Sequence, residues 1–418
     1  MRALAIVDGE HYAPVVRDAL AELPYDFVAA VLVGGHEKLR GGDEYGVPLV
    51  GDVESGIASL RPDVVVDLSD EPVLGPVARF ALASRVLARG VPYVGADFRL
   101  DPPVLEAFPL PSIAVVGTGK RVGKTAVTGH LARLLARDKR VVVVAMGRGG
   151  PPEPEVVTVP PTVEALLELS RSGRHAASDH LETAALVGVT TVGCRRCGGG
   201  LAGGVATSNV AEGARVAVEL DPELVVFDGS GAALPPIDTD RTVAVVGGHQ
   251  DPAIAGGYLN AYRLLRADLV VVTMAEASSG WGAVRDAVRG VVRQGVEVVP
   301  AQLRPRPLVG VSGRSVAYFS AAPPAAHERL RAELEAASGA SVVHVSGNLA
   351  NRTALREELA HIEAEIFLVE LKAAAIDVVA EAAQARNIEV VLAVNDVVAI
   401  DADGELDERL LEVAKFQE

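Results

Sequence analysis

Residues 115–127 read VVGTGKRVGKTAV, and this stretch decides how the middle of the chain folds. It follows the apolar run SIAVV at 112–116 and precedes TGHLARLL at 128–135, whose apolar residues recur at helical spacing. A strand, a glycine-rich turn and a helix that begins at Gly-Lys-Thr make a cradle for phosphate groups. The glycines turn backbone N–H groups inward, and the helix N-terminus adds a partial positive charge. The pattern therefore predicts a nucleotide-binding P-loop.

Each residue type in this motif has a defined task in the predicted site. Lys124 reaches the β and γ oxygens of the nucleotide, and the Thr125 hydroxyl binds Mg²⁺. We predict that ATP is bound by Gly117, Gly119, Lys120, Arg121, Val122, Gly123, Lys124, Thr125 and Ala126. Gly117 lies one residue further back than in the ordinary Gly-x4-Gly-Lys-Thr spacing, which resembles the dethiobiotin-synthetase-like branch of nucleotide-binding proteins. The branch's frequent extra lysine position is occupied here by Gly119, and Lys120, one residue away, is not assigned that role.

A carboxylate at the end of a neighbouring strand is expected to complete the magnesium site. The apolar run LVVF at 224–227 ends in Asp228-Gly229, as such a strand would. We predict that Asp228 binds Mg²⁺ together with Thr125. The alternative is that Asp228 only caps the turn after the strand.

Composition and charge restrict the function classes. The chain has 418 residues, of which 49% are hydrophobic and 4% aromatic, which is typical of a globular protein with more than one domain. A formal charge of −16 argues against a general affinity for nucleic acid or an anionic membrane. Two cysteines, no apolar run near 18 residues and a strand-like RALAIV directly after Met1 predict a cytoplasmic protein without a targeting segment.

Short apolar strands alternate with helical stretches along the chain, which predicts an α/β fold with parallel sheets covered on both faces. We predict a Rossmann-like domain at 1–108 and a P-loop NTPase-like catalytic domain at 109–350. A proline-rich break at 101–111 separates them. A C-terminal extension at 351–418, packed on the catalytic domain, is predicted to contain strands at 366–370 and 390–394 and a helix at Lys372–Ala385.

Three further segments combine glycine with arginine or histidine, and each follows a predicted strand, where open α/β sheets bind ligands. They are predicted to be loops at 144–155 with Arg148, at 193–204 with Arg195 and Arg196, and at 246–252 with His249. Guanidinium groups bind phosphate oxygens in pairs, and an imidazole can stabilise transferring charge or shuttle a proton. We interpret the segments as a second anion site beside the nucleotide. Flexible surface arginines and a surface histidine are the alternatives.

The same region contains Cys194-Arg-Arg-Cys197, a spacing that also fits half of a zinc site or a redox pair. A structural zinc ion takes four ligands, so only a dimer that shares two such pairs could complete the site. The remaining alternative is that both cysteines are structural.

Two groups of carboxylates are secondary candidates. Asp179 and Glu182 are three residues apart on a predicted helix, where they could bind metal or act as a base, or simply be solvated. Asp8, Glu10 and His11 follow the first predicted strand, where a ligand or a helix cap could use them.

The order of motifs over nearly the whole chain resembles the cyclic 2,3-diphosphoglycerate synthetase family. These motifs are DGEHY, GTGKRVGKTA, MGRGGP, GCRRCGGG, FDGSG and ELKAAAIDV, and the combination of MGRGGP with GCRRCGGG is the most specific. The resemblance implies an ATP- and Mg²⁺-dependent cytoplasmic ligase. Such an enzyme closes 2,3-diphosphoglycerate into its cyclic anhydride and releases ADP and phosphate.

On this interpretation, Lys124 and Mg²⁺ serve the ATP side of the site. The acceptor side would be served by Arg148, Arg195 and Arg196, with support from Lys120, Arg121 and His249. We expect a small phosphorylated substrate, no nucleic-acid or membrane partner, and a homodimer.

Two rival functions stay open from the residues alone. One is a carboxylate-activating ligase of the dethiobiotin-synthetase type. The other is a metallochaperone-like P-loop GTPase that carries metal on Cys194 and Cys197. The GTPase would need an Asn/Thr-Lys-x-Asp motif after a late strand, where this chain has VTMAE at 272–276.

Overall fold

The structure is a computed structural model that describes residues 1–40, 44–276, 280–372, 375–400 and 406–416. Two large sheets, one of six and one of thirteen strands, organise these residues, and most neighbouring strands in them are parallel. Helices cover the sheets. The predicted α/β fold class is confirmed.

The N-terminal domain is built on the six-stranded sheet, in the order β3-β2-β1-β4-β5-β6. Its elements are β1 (Arg2–Val7), α1 (Ala13–Glu22), β2 (Asp26–Leu32), β3 (Leu49–Val50), α2 (Val53–Leu60), β4 (Val64–Asp67), α3 (Pro76–Leu87), β5 (Tyr93–Val94) and β6 (Arg99–Leu100). Successive side chains of β1 pack on opposite faces of the sheet. Leu4 and Ile6 join the core under α2 and α3, whereas Ala5 and Val7 join the core under α1. Burial on both faces explains why the strand reads as an unbroken apolar run.

Asp8 follows β1 and is fully buried, with both carboxylate oxygens bonded to the chain itself. Oδ1 accepts a hydrogen bond from the Glu10 amide at 2.9 Å and contacts His11 Nδ1 at 2.8 Å, while Oδ2 accepts from the Asp70 amide at 2.8 Å. Burial alone would raise the pKa of Asp8, but these hydrogen bonds outweigh burial and lower it. Asp8 therefore caps a turn and ties β1 to the segment after β4.

The thirteen-stranded sheet begins in the nucleotide-binding region, whose last element is β17. The elements are β7 (Glu106–Ala107), β8 (Ser112–Gly117), α4 (Lys124–Leu135), β9 (Val141–Gly147), β10 (Glu155–Val157), α5 (Val163–Arg171), α6 (Asp179–Val187), β11 (Thr190–Gly199), β12 (Val205–Ser208), α7 (Val210–Glu219), β13 (Leu224–Asp228), β14 (Ile237–Asp238), β15 (Arg241–Gly247), α8 (Pro252–Ala255), α9 (Asn260–Arg266), β16 (Leu269–Thr273), α10 (Trp281–Arg289) and β17 (Glu297–Pro307). The short strands β7 and β14 pair with each other apart from this sheet.

The C-terminal unit continues the same sheet. Its elements are β18 (Ser315–Phe319), α11 (His327–Ser338), β19 (Ser341–Ser346), α12 (Arg352–Leu359), β20 (Ile366–Glu370), α13 (Ile376–Arg386), β21 (Glu389–Ala399) and α14 (Leu406–Val413), with two short 3-10 turns at Pro324–Ala326 and Asn348–Ala350. The strand order of the sheet is β10-β11-β9-β13-β8-β15-β16-β17-β21-β20-β18-β19, and β12 pairs with β11. No helix in the described part of the chain is long and apolar enough to cross a bilayer.

Strand β17 joins the two parts of the sheet. Its residues 297–300 pair with β16 in parallel, and residues 301–307 pair with β21 in antiparallel. Strands β18 and β19, which lie within the predicted 109–350 domain, are placed beside β20 in this sheet. The predicted domain limits stay a prediction.

The predicted helix at Lys372–Ala385 begins later in the structure, at Ile376. The Lys372 amide instead donates to the Glu370 carbonyl at 2.9 Å, in a tight turn after β20. Residues 373 and 374 lie outside the described residues.

The N-terminal domain packs on the nucleotide-binding region through α3 and the segment before α9. The rings of Phe80 and Tyr258 lie 4.4 Å apart, and the Ser84 hydroxyl donates to the Tyr258 carbonyl at 3.1 Å. One continuous hydrophobic core includes side chains from both regions.

Candidate active site

The P-loop connects β8 to α4, and its backbone conformation requires glycine at two places. Gly123 has a φ of 77°, in the left-handed region. A Cβ atom at Gly117 would lie 2.8 Å from the Gly231 carbonyl oxygen, closer than packing allows. Arg121 also has a positive φ of 58°, which is uncommon for a residue with a side chain. The loop is held by neighbouring strands, since the Thr273 hydroxyl donates to the Val122 carbonyl at 2.6 Å.

Lys124 and Asp228 form a buried ion pair at the centre of the site. The Lys124 ammonium donates to Oδ1 of Asp228, and the Thr128 hydroxyl, one turn further along α4, donates to the same oxygen at 2.6 Å. Asp228 is 0% exposed and Lys124 only 8%. Within the described part of the chain, Oδ2 of Asp228 is buried without a hydrogen-bond partner. Because buried carboxylate oxygens rarely lack partners, this oxygen is a candidate ligand for a metal ion.

A magnesium ion fits this donor set. Mg²⁺ is usually held by one or two protein oxygens, with water and substrate phosphates as the other ligands. Asp228 offers a free oxygen, and Thr125 lies in the first turn of α4, next to Lys124. In the ranges that the structure describes, no group of three or more His, Cys, Asp or Glu side chains could hold a metal alone.

Charged side chains from four segments lie near Asp179, which begins α6. Burial raises the pKa of Asp179, and the nearby Asp228 raises it further. The positive charges that oppose this shift come from Lys124, Arg148 and Arg196. The structure therefore brings these three predicted cations together beside the P-loop. The loop after β9 also touches this carboxylate, since a Cβ atom at Gly147 would lie 3.3 Å from Asp179 Oδ2.

Arg196 is fixed in this cluster by the turn that follows Asp228. Its Nη2 donates to the Ser230 carbonyl at 2.9 Å and lies 3.3 Å from the Ser230 hydroxyl. Its Nε is buried and has no partner among the described residues. Burial lowers the pKa of Arg196, and the nearby Arg148 lowers it further. A bound anion would stabilise two neighbouring guanidinium groups that repel each other.

Arg195 differs from its neighbour. Its backbone amide donates to Asn209 Oδ1 at 2.7 Å, but its side chain is exposed. Within the described residues, the guanidinium makes no hydrogen bond or ion pair. Lys120 and Arg121 are exposed as well, with Lys120 near Gly231 and Arg196. The functional roles of all these residues stay predictions.

The prediction that residues 193–204 form a loop is wrong. Strand β11 continues to Gly199 and forms a hairpin with β12, in which Arg196 pairs with Ser208 and Gly199 with Val205. The density of glycine suggested a loop, but the partner strand provides the backbone hydrogen bonds that keep the segment extended. Gly198, with a φ of 68°, permits a close approach to Ala206.

The strand also separates the two cysteines. Residues three apart in a strand point to opposite faces. Cys194 is 0% exposed in the core against Gly213, whereas Cys197 is exposed. Burial raises the pKa of the Cys194 thiol to about 12. The two sulfurs therefore form neither a redox pair nor half of a zinc site.

His249 is exposed, and its ring lies over the backbone of Gly247, where a Cβ atom would be 2.6 Å from His249 Cε1. The neighbouring Gln250 ties this loop to the P-loop instead. Its Oε1 accepts hydrogen bonds from the Thr118 hydroxyl at 2.6 Å and from the Gly247 amide at 3.0 Å. Sequence analysis did not single out Gln250, although it lies within the segment predicted to be a loop at 246–252.

Glu182 is the largest departure from the expectation of solvated helix carboxylates. It faces α4 and the C-terminal unit and is only 6% exposed. Burial raises its pKa to about 8; nearby Lys372 opposes this shift, whereas Asp179 and Glu370 add to it. Apolar residues at positions 181, 184 and 185 indicate that one side of α6 is buried. The helical spacing of these residues does not show which charged side chains lie opposite Glu182.

These features define a P-loop nucleotide-binding protein, with the lysine of the loop paired to an aspartate that ends the adjacent parallel strand. Models of the N-terminal, P-loop and C-terminal domains of cyclic 2,3-diphosphoglycerate synthetase match residues 2–101, 112–299 and 307–396. The chain belongs to this family, as the order of its motifs predicted.

Relatives called cyclic 2,3-diphosphoglycerate synthetase align over nearly their full length. The protein from Rubrobacter xylanophilus is 52% identical, over 97% of this chain and 96% of its own. The proteins from Methanothermus fervidus and Thermococcus gammatolerans are 40% and 44% identical, each over 99% of this chain and 97% of its own.

Proposed function

We propose that this enzyme uses ATP to close 2,3-diphosphoglycerate into its cyclic anhydride, with release of ADP and phosphate. Family membership supports the proposal, because the relatives bear the name of this activity. The structural observation that carries it is the grouping of Arg148 and Arg196 with Lys124 around Asp179. Arginines beside the P-loop lysine suit an acceptor that is itself a phosphate.

The reaction has to bring two highly charged phosphates together. At an effective dielectric constant near 20, two unit charges 4 Å apart repel by about 4 kcal/mol, and phosphate dianions repel more strongly. Neutralising charge and holding the reacting atoms in line are therefore the main tasks of the protein.

We propose two phosphoryl transfers. In the first, an oxygen of one substrate phosphate attacks the γ-phosphorus of ATP, and ADP leaves with the electron pair of the broken P–O bond. In the second, an oxygen of the neighbouring substrate phosphate attacks the substrate-linked phosphorus of the new anhydride. The bond to the terminal phosphate breaks, and inorganic phosphate leaves.

The residue roles follow from position. Lys124 would exchange its bond with Asp228 for the β and γ oxygens of ATP, within a cradle formed by residues 117–126. Arg148, Arg195 and Arg196 would bind the acceptor. Lys120 and Arg121, which are exposed in the P-loop, would add positive charge. His249, which is exposed in the loop after β15, would add charge or move protons.

Mg²⁺ would be held by the Thr125 hydroxyl and the Asp228 carboxylate. When bound, it neutralises charge on the nucleotide phosphates. The unpartnered Oδ2 of Asp228 supports this assignment.

We further propose that the protein is a cytoplasmic homodimer. Both cysteines are free thiols, and their side chains point to opposite faces of β11, so they do not pair. Free thiols are typical of a reducing compartment. Light scattering should give twice the chain mass of 43.3 kDa. A mass of one chain would remove the dimer from the proposal.

Phosphorus NMR tests the activity directly. Purified protein with ATP, Mg²⁺ and 2,3-diphosphoglycerate should produce a new anhydride signal together with ADP and free phosphate. The Lys124→Ala variant should produce none. ATP hydrolysis without an anhydride signal would contradict the proposed function.

The acceptor assignment has its own variant pair. Arg196→Ala should raise the KM for 2,3-diphosphoglycerate or lower kcat by about 100-fold, while ATP affinity stays within a few fold, because the arginine neutralises the acceptor. Arg89→Ala, an exposed arginine of the N-terminal domain, is the matched control. Equal losses of ATP and acceptor binding in Arg196→Ala would place the arginine on the nucleotide instead.

A further inference from the structure

A second opening lies beside Thr125, between the P-loop helix α4, helix α6 and the C-terminal part of the large sheet. Its enclosed space is about 20 Å³, enough for one water molecule, and the cleft opens to solvent at its mouth. The lining residues that bear polar or charged side chains are Thr125, Arg133, Glu182, Thr183, Glu370, Lys372 and Asn395. The cleft thus adjoins the predicted phosphate site, and apart from Thr125 these are residues that the proposed mechanism does not use.

Lys372 is the cation from the C-terminal unit in this cleft. Its Nζ lies 3.9 Å from Oε2 of Glu370, an ion pair without a hydrogen bond. Glu370 raises the pKa of Lys372, and Glu182 on α6 raises it further. The ammonium therefore lies beside the Glu370 carboxylate and faces Glu182 across the cleft. Its side chain keeps 36% of its surface exposed.

Glu370 is anchored much more firmly than Lys372. Its Oε1 accepts hydrogen bonds from the Tyr318 hydroxyl at 3.0 Å and from Asn395 Nδ2 at 2.8 Å. These partners lie on β18 and β21, the strands on either side of β20. Glu370 is thus held in place by two hydrogen bonds, whereas Lys372 beside it has a long side chain that can adopt other conformations.

The cleft also presents polar groups that lack partners. Thr183 is 1% exposed, and its Oγ1 has no hydrogen-bond partner among the described residues. Glu182 likewise makes no side-chain hydrogen bond in the part of the chain that the structure describes. Buried polar groups are almost always bonded, so these atoms have hydrogen-bonding capacity left for water or for a ligand.

We infer that Lys372 is a further catalytic residue, whose ammonium binds phosphate oxygens of the acceptor in the cleft beside Thr125. This inference rests on the proposed function. A lysine suits the task because its compact charge on a four-carbon chain can move from one anion to another. Without a substrate, the ammonium rests beside Glu370. When the phosphates bind, it exchanges this distant ion pair for phosphate oxygens, and Glu370 acts as its positioning residue.

The test replaces Lys372 by Ala and by Arg, with Lys415→Ala as the matched control. Lys415 is an exposed lysine that pairs with Glu412 near the end of the chain, away from the cleft. Turnover of ATP with 2,3-diphosphoglycerate should fall about 100-fold or more in Lys372→Ala, because one charge that stabilises the transferring phosphates is lost. ATP affinity should stay within about fivefold, since the contact is made with the acceptor. Lys415→Ala should match the unaltered protein.

Chemical rescue separates contact with substrate from a structural role. Methylammonium chloride added to Lys372→Ala should restore kcat at least about tenfold, and tetramethylammonium chloride at the same ionic strength should not. Lys372→Arg should keep the fold and part of the activity. The urea midpoint of Lys372→Ala should stay near that of the unaltered protein.

Three results would overturn the inference. One is turnover in Lys372→Ala within threefold of the Lys415→Ala control. The second is a lost urea transition or lost ATP binding in Lys372→Ala, which would make the lysine a structural ion pair. The third is a loss of activity that methylammonium leaves unchanged while Lys372→Arg is fully active.

A binding measurement distinguishes this inference from the proposed function. Equilibrium dialysis of 2,3-diphosphoglycerate against the unaltered protein and Lys372→Ala needs no turnover. If the unaltered protein forms no anhydride, the proposed function is refuted. If 2,3-diphosphoglycerate nevertheless binds more weakly to Lys372→Ala, the phosphate contact of Lys372 is still supported. Normal anhydride formation with equal binding and turnover in the variant would refute the lysine site alone.

Discussion

Because the carboxyl of Glu182 is buried, we expect the free energy of unfolding to depend on pH. The substitution Glu182→Gln tests this expectation. Burial raises the pKa of Glu182 from 4.5 to about 8. The chain unfolded in urea would return the group to its ordinary value. Between these two values the folded protein therefore holds a proton that the unfolded chain releases, so the free energy of unfolding falls as pH rises from about 4.5 to about 8.

The size of the effect follows from the same two values. Each unit of pKa difference corresponds to ~1.4 kcal/mol. Relative to a neutral side chain of the same shape, Glu182 should cost about 1 kcal/mol at pH 5 and at most about 4 to 5 kcal/mol at pH 8.5. Glu182→Gln removes this cost, because the amide does not ionise. The variant should therefore be more stable than the parent, and much more so at pH 8.5.

Trp281, the chain's only tryptophan, provides the measurement. It begins α10, which packs against β17 of the large sheet. Urea unfolding followed by its fluorescence at pH 5 and pH 8.5 compares parent and variant. The control is Glu168→Gln, which changes an exposed carboxylate on α5. A variant that is equally or less stable than the parent at pH 8.5 would refute the reasoning, because Glu182 would then be an ionised partner of Lys372.

Two further predictions concern the buried groups of the nucleotide region. Thr128→Val should lower the free energy of unfolding by about 1.5 to 3 kcal/mol, because Asp228 loses a hydrogen bond to a charged acceptor; urea unfolding followed by Trp281 fluorescence measures this. An unchanged urea midpoint would show that the hydrogen bond from Thr128 to Asp228 contributes nothing to the free energy of unfolding. An aromatic disulfide reagent should modify one thiol per folded chain and two in urea, because Cys194 is buried and Cys197 exposed. Two thiols reacting at equal rates in the folded protein would contradict the position of Cys194 on β11.

The parts of the fold that sequence predicted are those set by local pattern. Apolar runs gave β8 and β13, and the glycine spacing gave the P-loop between β8 and α4, because these signals lie within a few residues of each other. The hairpin of β11 and β12 was missed for the opposite reason. A glycine-rich segment has little preference of its own, and its extended form depends on pairing with a strand several residues further on.

The candidate site divides in the same way. Lys124, Thr125 and Asp228 could be proposed as site residues because a known motif and the end of a strand mark them, and their roles stay predictions. The burial of Glu182 could not, since it results from helix α6 packing against residues 370 and 372, nearly 190 positions later. Helical spacing shows which side of α6 is covered, but not which charges cover it.

The position of Lys372 depends on a change of pairing within one strand. β17 leaves its parallel partner β16 after Pro300 and takes β21 as an antiparallel partner from Ala301 onward. The C-terminal unit is therefore an extension of the nucleotide-binding sheet. Its core is shared as well, because Val397 of β21 and Leu410 of α14 pack in one cluster with Leu131 of α4. Because the C-terminal unit shares the sheet and core of the nucleotide-binding region, Lys372 lies in one cleft with residues of the P-loop helix, and we expect its side chain to provide the movement toward the phosphates.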